Sequence, residues 1–368
     1  MKLGIILGTR PEIIKMSPII RCCEKNKIDH FVLHTGQHYS YNMDKIFFEE
    51  LGLAPPKYNL NTGSNDFRKQ VGIMIVGIKE ILTREKPDFV LVLGDTNTVL
   101  AGALAAKQLH ISIVHIEAGL RSHEFEMIEE TNRIITDHIS DVLFPPTDIA
   151  MEYLIEEKIP LDKIFMSGNT IVDAVIQNLD ISEKKSNVLK EINLKKDKYF
   201  LVTLHRPENV DKKSVLNILM QSLKKVSEKY DYELVLPLHP RTKKMLKKFD
   251  LKIPDKIKVT DPLSYLEFLQ LEKNARLILT DSGGIQEEAS ILKVPCITLR
   301  NTTERPETVT IGCNIVAGVE NNNNNILKYV EHMLKKERNW RAPYGNGKSS
   351  EFIIKKLKEI MDEHLKNS

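Results

Sequence analysis

An α/β fold of two Rossmann-like domains with a cleft between them is what this chain predicts, on three observations. Apolar strands and amphipathic helices alternate almost throughout, the pattern of a parallel sheet covered on both faces. The 368 residues exceed one ordinary core and suit two α/β domains. A pair of glycines separates a buried strand from a helix at Thr280-Asp281-Ser282-Gly283-Gly284-Ile285-Gln286-Glu287-Glu288, the arrangement by which such sheets bind ligands at strand ends.

Leu3-Gly4-Ile5-Ile6-Leu7 reads as the first strand, Pro11 to Cys23 as the first helix and Phe31-Val32-Leu33-His34-Thr35 as the second strand. Val71, Ile75, Ile78 and Leu82 form the inner stripe of a helix. Phe89 to Leu93 is a strand ending at Gly94-Asp95, Thr98 to Leu109 a helix, Ile113 to Ile116 a strand, and Val142-Leu143-Phe144 another before Pro145-Pro146. From Gly168 to Lys198 the pattern weakens while charge and Asn content rise, so the boundary is placed there. The expected domains are 1–167 and 168–350, with a C-terminal helix over 351–368 crossing back to the first. Alternation restarts with strands at Tyr199 to Thr203, Leu234 to Leu238, Ile257 to Val259, Ala275 to Leu279 and Pro295 to Leu299. Asn321 to Asn325 is a polar turn before a helix.

Composition narrows the partners. Hydrophobic content of 42% suits well-packed cores, and a formal net charge of +3 argues against a nucleic-acid or membrane-surface binder. Basic pairs such as Lys243-Lys244 and Lys247-Lys248 read as solvated helix faces. Cys22, Cys23, Cys296 and Cys313 form no CxxC pair and sit in apolar contexts, as expected of reduced core residues in a cytoplasmic protein. No apolar run reaches membrane-spanning length.

The glycine pair at 283–284 lets the backbone approach a ligand closely, and the helix start behind it offers unpaired N–H groups that attract phosphate. Glu287 and Glu288 are expected in that first turn. A free carboxylate would repel phosphate, so one of them is expected to take hydroxyls such as those of a ribose. Phosphate plus ribose suggests a nucleotide. The competing reading is an ordinary strand-to-helix turn.

Other polar residues stand just past strand ends: Gly8-Thr9-Arg10, Gly36-Gln37-His38, Gly94-Asp95-Thr96, Glu117-Ala118-Gly119, His205-Arg206-Pro207-Glu208 and His239-Pro240-Arg241. Asp95, Glu117 and Glu129 could supply general acid and base; alternatively Asp95 and Glu129 cap the helices that follow them. His205 heads an unusually polar set. Arg10, Lys15 and Arg305 could neutralise a diphosphate. Gly8-Thr9-Arg10-Pro11 lacks the spaced glycines of a dinucleotide fingerprint, and no His/Cys cluster has metal-ligand spacing, so neither cofactor nor metal is expected. Gly345-Asn346-Gly347-Lys348-Ser349 lacks the first glycine and preceding strand of a P-loop.

Together these stretches resemble the non-hydrolysing UDP-N-acetylglucosamine 2-epimerases, relatives of the glycosyltransferase-B architecture. The resemblance rests on Gly8-Thr9-Arg10-Pro11-Glu12 with Lys15, Gly36-Gln37-His38, Gly94-Asp95-Thr96, His115 to Arg121 and Glu129-Glu130-Thr131-Asn132-Arg133. In the second half it rests on His205 to Asn209, His239-Pro240-Arg241, Asp281 to Glu288 and Thr302 to Glu307. It implies interconversion of UDP-GlcNAc and UDP-ManNAc through elimination and re-addition of UDP, with 2-acetamidoglucal between, in supply of cell-surface polysaccharide precursors. Asp95, Glu117 and Glu129 are then the acid–base candidates, and His205 assists departure of UDP. Ser282, Gly283 and Gly284 hold phosphate, Glu288 takes the ribose hydroxyls, and Phe268 lines the uracil pocket. Arg10, Lys15, Arg133 and Arg305 surround the substrate. The resemblance also implies a homodimer that needs no cofactor.

The chain departs from bacterial members in a short segment between Glu117 and Glu129. It departs again at Tyr39-Ser40-Tyr41-Asn42-Met43, unlike the pattern tied there to a second, activating UDP-GlcNAc. A similar Tyr-rich stretch occurs in relatives acting on UDP-2,3-diacetamido-glucuronate, which makes that sugar the close alternative. A retaining glycosyltransferase on the same fold is the alternative from another class.

Overall fold

The computed structural model describes residues 1–37, 47–63, 66–124, 126–319 and 323–367. His38, the Tyr39-to-Met43 stretch and part of the Asn321–Asn325 run therefore lie outside the described residues. The chain forms two compact units, residues 1–177 with 344–368 and residues 178–343. The division falls inside the helix Thr170–Lys185 rather than ahead of it at 168, and the chain returns to the first unit at Tyr344 rather than at 351. Asn169 to Val175 are buried in the first unit, and the exposed charge that weakens the periodicity gathers only from Glu183 on.

In the first unit six strands form one parallel sheet: β1 (Lys2–Leu7), β2 (Asp29–His34), β3 (Tyr58–Asn59), β4 (Phe89–Leu93), β5 (Ser112–Ile116) and β6 (Val142–Phe144). Their order is β3-β2-β1-β4-β5-β6. All five residues of β4 are buried, which is why it reads as a continuous apolar run rather than an alternation. The helices Arg10–Lys25, Phe67–Glu85, Asn97–Gln108 and Ile128–Ile139 cover the sheet. Val71, Met74, Ile78, Ile81 and Leu82 seal one face against Val90, Val92 and Ile6.

The C-terminal helix Ser349–Asn367 packs on the helix Arg10–Lys25. Its start is fixed by the buried Asp173, which accepts from Ser349 N (3.2 Å), Ser350 N (2.8 Å) and Ser350 Oγ (2.7 Å). A carboxylate there satisfies orphan N–H groups and favours the positive end of the helix.

The second unit repeats the plan with β7 (Tyr199–Thr203), β8 (Glu233–Pro237), β9 (Ile257–Thr260), β10 (Leu277–Thr280), β11 (Cys296–Thr298) and β12 (Asn314–Val316). The order is β12-β11-β10-β7-β8-β9, again all parallel. Phe200, Val202, Leu234, Leu236, Leu277 and Leu279 form its core with Leu216, Leu219 and Leu223 of the helix Lys213–Lys229. In each sheet the chain reverses direction of travel between neighbouring strands at one place, β1/β4 and β7/β10. Loops diverge there and leave room for a ligand.

All four cysteines are free and buried. Among the described residues no helix is long and apolar enough to cross a membrane.

Candidate active site

The first unit gathers its polar residues after β1, β4 and β5. β1 runs into Gly8, where a Cβ would sit 2.2 Å from the hydroxyls of both Thr35 and Thr98; only glycine fits. Thr9 then caps the helix Arg10–Lys25, and Glu12 reaches back to accept from Gly8 N (2.6 Å), Thr9 N (2.8 Å) and Thr96 Oγ1 (2.5 Å). Burial raises the Glu12 carboxyl to about 7, against the lowering effect of those bonds. Sequence reasoning quoted Glu12 within a motif but gave it no role; an acid at the third position of a helix behind a Thr was the available signal.

Glu117 lies just past β5, buried, with its backbone in the left-handed region at φ 65°. That conformation is uncommon for a side-chain-bearing residue. Its carboxylate accepts from Lys15 Nζ at 2.5 Å and from Asn169 Nδ2 at 2.7 Å. The structure thus brings Glu117 and Lys15 together, and adds Asn169, which no motif marked. Two residues on, Gly119 has φ 79°, and a Cβ there would meet the Ala150 carbonyl at 2.1 Å.

Asp95 is half-buried and pairs with Arg133, whose other nitrogen holds Glu130 at 2.6 Å. Asp95 does not cap the helix that follows; Thr96 occupies that position. Of the acidic pair opening the helix Ile128–Ile139, Glu130 is fully buried and Glu129 exposed. Glu130 accepts from Ser122 N, Ser122 Oγ and His123 N at 2.8–3.0 Å. Burial opposes its charge, but these bonds and Arg133 hold its carboxyl below the usual range. Glu130 is therefore an anchor of the 121–124 loop, and Glu129 is the acid left facing outward.

A buried His115 links these loops. Its Nδ1 lies 2.6 Å from Asp137 Oδ1 and its Nε2 2.8 Å from the Gly94 carbonyl. Asp137 also accepts from Gly119 N (3.1 Å) and pairs with Arg121 (2.8 Å). Burial works against Asp137, but His115 and Arg121 keep its carboxyl low. The Gly94-Asp95 turn and the Glu117–Gly119 turn are thus tied through one imidazole and one carboxylate.

In the second unit the organiser is Asp281, fully buried at the end of β10. It accepts from His205 N (2.9 Å) and Arg206 N (3.0 Å), from Asn209 Nδ2 (3.2 Å), and lies 2.9 Å from His205 Nδ1. Burial raises its carboxyl, yet the His205 and Arg206 bonds prevail and hold it below the ordinary value. His205 keeps about a third of its side chain exposed, so its ring is oriented from behind and open in front. His239 stands beside it, ring centroids 5.4 Å apart. Burial, then the charge of His205, lowers the His239 imidazole from its usual value.

Ser282 is the N-cap of the helix Gly283–Ile291, with Gly283 and Gly284 in its first turn. Nothing lies within 4 Å of a Cβ built on Gly284, which leaves the first-turn N–H groups approachable. Glu287 and Glu288 are not in that turn, as the sequence suggested; they sit in the second. Glu287 pairs with Arg305 at 2.6 Å, so Arg305 reaches this region as half of an ion pair. Glu288 is buried and accepts from the Tyr265 hydroxyl at 3.0 Å. Phe268, on the helix Tyr265–Asn274, packs partly buried against the second core of this unit. Arg10 lies with its guanidinium 5.7 Å from the Phe47 ring centroid.

Known proteins carry the same frame. The sequence profile of the family described as UDP-N-acetylglucosamine 2-epimerase matches residues 21–358. A UDP-N-acetylglucosamine 2-epimerase of Methanocaldococcus jannaschii is 58% identical over 97% of this chain and 99% of its own. A UDP-2,3-diacetamido-2,3-dideoxy-D-glucuronate 2-epimerase of Pseudomonas aeruginosa is 40% identical over 86% of this chain and 88% of its own. The crystal structure of the M. jannaschii UDP-GlcNAc 2-epimerase in complex with UDP-GlcNAc and UDP superposes with a TM-score of 0.88 at 58% identity, covering 98% of this chain and 100% of that one. With that profile covering most of the chain and relatives this similar along nearly its whole length, the chain belongs to the non-hydrolysing UDP-N-acetylglucosamine 2-epimerase family.

Proposed function

We propose that this enzyme interconverts UDP-N-acetylglucosamine and UDP-N-acetylmannosamine by eliminating and re-adding UDP. The observation that carries the substrate is the 58% identity, over nearly the whole chain, to a relative whose structure holds UDP-GlcNAc and UDP. The 40% identity to the diacetamido-glucuronate enzyme makes that sugar the second reading.

The C2 proton of the sugar is not beside a carbonyl, so plain deprotonation would be slow. Removing it while the C1–O bond breaks sends the C2–H electrons into a C1=C2 double bond and the C1–O electrons out with UDP. The product is 2-acetamidoglucal. Protonation at C2 from the opposite face, with return of UDP to C1, gives the epimer. Acids and bases are then needed on both faces of C2. Asp95, Glu117 and Glu129 are the candidates: Glu117 is held by Lys15 and Asn169, Asp95 by Arg133, and Glu129 is exposed at a helix start. Negative charge gathers on the departing diphosphate. His205, backed by Asp281, and the helix start at Ser282-Gly283-Gly284 are suited to meet it. Glu288 takes the ribose hydroxyls in this reading, and Phe268 lines the uracil pocket. The UDP-ManNAc formed feeds cell-surface polysaccharide assembly.

Proton NMR of UDP-GlcNAc with the protein in deuterated water tests the proposal. UDP-ManNAc should appear with deuterium at C2, and free UDP and glycal should be seen transiently. No C2 exchange with UDP-GlcNAc, but exchange with UDP-2,3-diacetamido-glucuronate, would move the substrate to the second reading. Sugar transfer to an acceptor without C2 exchange would make the protein a glycosyltransferase.

A further inference from the structure

Glu272 has no part in the chemistry above, yet it is one of the most anomalous side chains in the second unit. It is fully buried on the helix Tyr265–Asn274, and neither carboxyl oxygen has a hydrogen-bond donor. A buried, ionised carboxylate with no donor is very costly. The polar group it meets is another carboxyl, that of Glu288 on the helix Gly283–Ile291. Two facing carboxyls are tolerable in such a place only with a proton between them. Burial, then the charge of Glu288, pushes the Glu272 carboxyl far above the usual range.

The remaining neighbours leave that proton with one direction to point. The Tyr265 hydroxyl donates to Glu288 Oε1 at 3.0 Å, with the fully buried Asn178 beside it. Tyr199 on β7 gives its hydroxyl to the Leu271 carbonyl at 2.6 Å, so it is not available to Glu272. Cys296 on β11 is a buried thiol held neutral by burial, with Cys313 and Glu272 acting in the same sense. Tyr265, Tyr199 and Cys296 are thus neutral, and the charge of the cluster resides on the Glu272–Glu288 pair.

We propose that Glu272 is a positioning residue that carries a proton and donates it to Glu288, so that Glu288 is a singly charged acceptor held by Tyr265 and by Glu272 in the orientation that serves the ribose hydroxyls of a bound uridine nucleotide. This rests on the reading of Glu288 as the ribose acceptor.

Glu272→Gln and Glu272→Leu separate the parts. The Gln amide can donate to Glu288 but cannot titrate; Leu can do neither. Two measurements apply to the full chain: urea unfolding between pH 7 and 9, and calorimetric affinity for UDP and for 2′-deoxy-UDP. The folded wild type holds a proton that the unfolded chain has released, so its stability should fall as pH rises. Glu272→Gln should flatten that slope, keep UDP affinity within about threefold, and keep the preference for UDP over 2′-deoxy-UDP. That preference should be at least roughly tenfold, the scale of a hydrogen bond to a charged group. Glu272→Leu should lose most of it. A Glu272→Gln slope equal to that of wild type overturns the shared proton. A Glu272→Leu protein that folds and keeps the full preference overturns the positioning role. If wild type itself does not distinguish the two nucleotides, the ribose reading of Glu288 fails, while the pH slope still decides the shared proton.

Discussion

Replacing Glu117 by Gln should separate what this carboxylate does for folding from what it does for turnover. In the structure its Oε1 is 2.5 Å from Lys15 Nζ, and the two side chains are only 5% and 10% exposed. Water screens such a pair little, and removing one partner of a buried pair costs about 3–5 kcal/mol. Gln still offers a carbonyl oxygen to Lys15 and Asn169, which places the loss near the lower end, about 3 kcal/mol. If Glu117 also moves the C2 proton, turnover should drop at least roughly a hundredfold, the scale of a general acid or base. Urea unfolding and an initial-rate epimerisation assay read the two effects. The decisive protein is Lys15→Met with Glu117→Gln, which removes both charges from the buried position. Its stability should recover toward wild type while turnover stays low. Wild-type turnover in Glu117→Gln, or recovery of turnover together with stability in the double variant, would refute the assignment of proton transfer to Glu117.

Asp95→Asn and Glu129→Gln should each lower turnover at least roughly a hundredfold with much smaller change in UDP affinity, as measured by rates and calorimetry; wild-type rates in either would remove it from the mechanism. Glu12→Gln should flatten the pH dependence of stability. The folded carboxyl holds its proton up to about 7 while the unfolded one releases it near 4.5, so wild type loses stability as pH rises across that window. The Gln carbonyl can keep the Gly8 and Thr9 bonds and its amide can donate to Thr96, so the variant should fold; an unchanged slope in urea melts between pH 4.5 and 7 would contradict the raised value. Asp281→Asn should cost about 2–4 kcal/mol and weaken UDP binding, because the buried charged acceptor of the His205 and Arg206 amides is lost and only one oxygen remains to serve them and the His205 ring. Wild-type stability also contains a term present above the ordinary Asp range and lost as acid titrates Asp281, and that acid limb should vanish in the variant. Dialysis against a chelator should leave turnover intact, since the loop after the first strand carries no dinucleotide fingerprint; activity restored by added metal or NAD would count against this.

Periodicity located most of the sheet because most strands are buried on both faces and long enough to show as apolar runs. It passed over Tyr58–Asn59 and Asn314–Val316, short edge strands that are only partly buried and so show no apolar run. The site loops were legible because strand ends in parallel sheets collect ligand-binding residues, so Asp95, Glu117, His205 and Ser282 could be picked out by position alone. What a local reading lacks is the partner. Nothing in Glu129-Glu130 tells which acid turns inward; Arg133 one turn on and the amides of Ser122 and His123 decide it. Glu287 and Glu288 were assigned one turn too early because the helix already begins at Gly283 and includes both glycines. Asn169 and Asp137 escaped notice because their bonds reach Glu117 and His115, 52 and 22 residues away.

The common strand order of the two sheets has a consequence for how they can be re-engineered. In each, the loop after the first strand and the loop after the fourth are neighbours, and in each one buried acid rivets them together. In the first unit the acid is Glu12, in the first turn of the helix behind the first loop, gripping that loop at Gly8 and Thr9 and the other at Thr96. In the second it is Asp281, on the fourth, gripping the amides of His205 and Arg206. The same architectural slot is thus fastened from opposite sides. Where the acid comes from the first-loop side, Asp95 on the fourth loop is left to pair with Arg133. Where it sits on the fourth, its carboxylate is consumed and that loop presents amide hydrogens. Which side supplies the fastener therefore sets which loop's groups are spent on holding the seam. Moving the acid across the seam would free the groups of one loop and occupy those of the other.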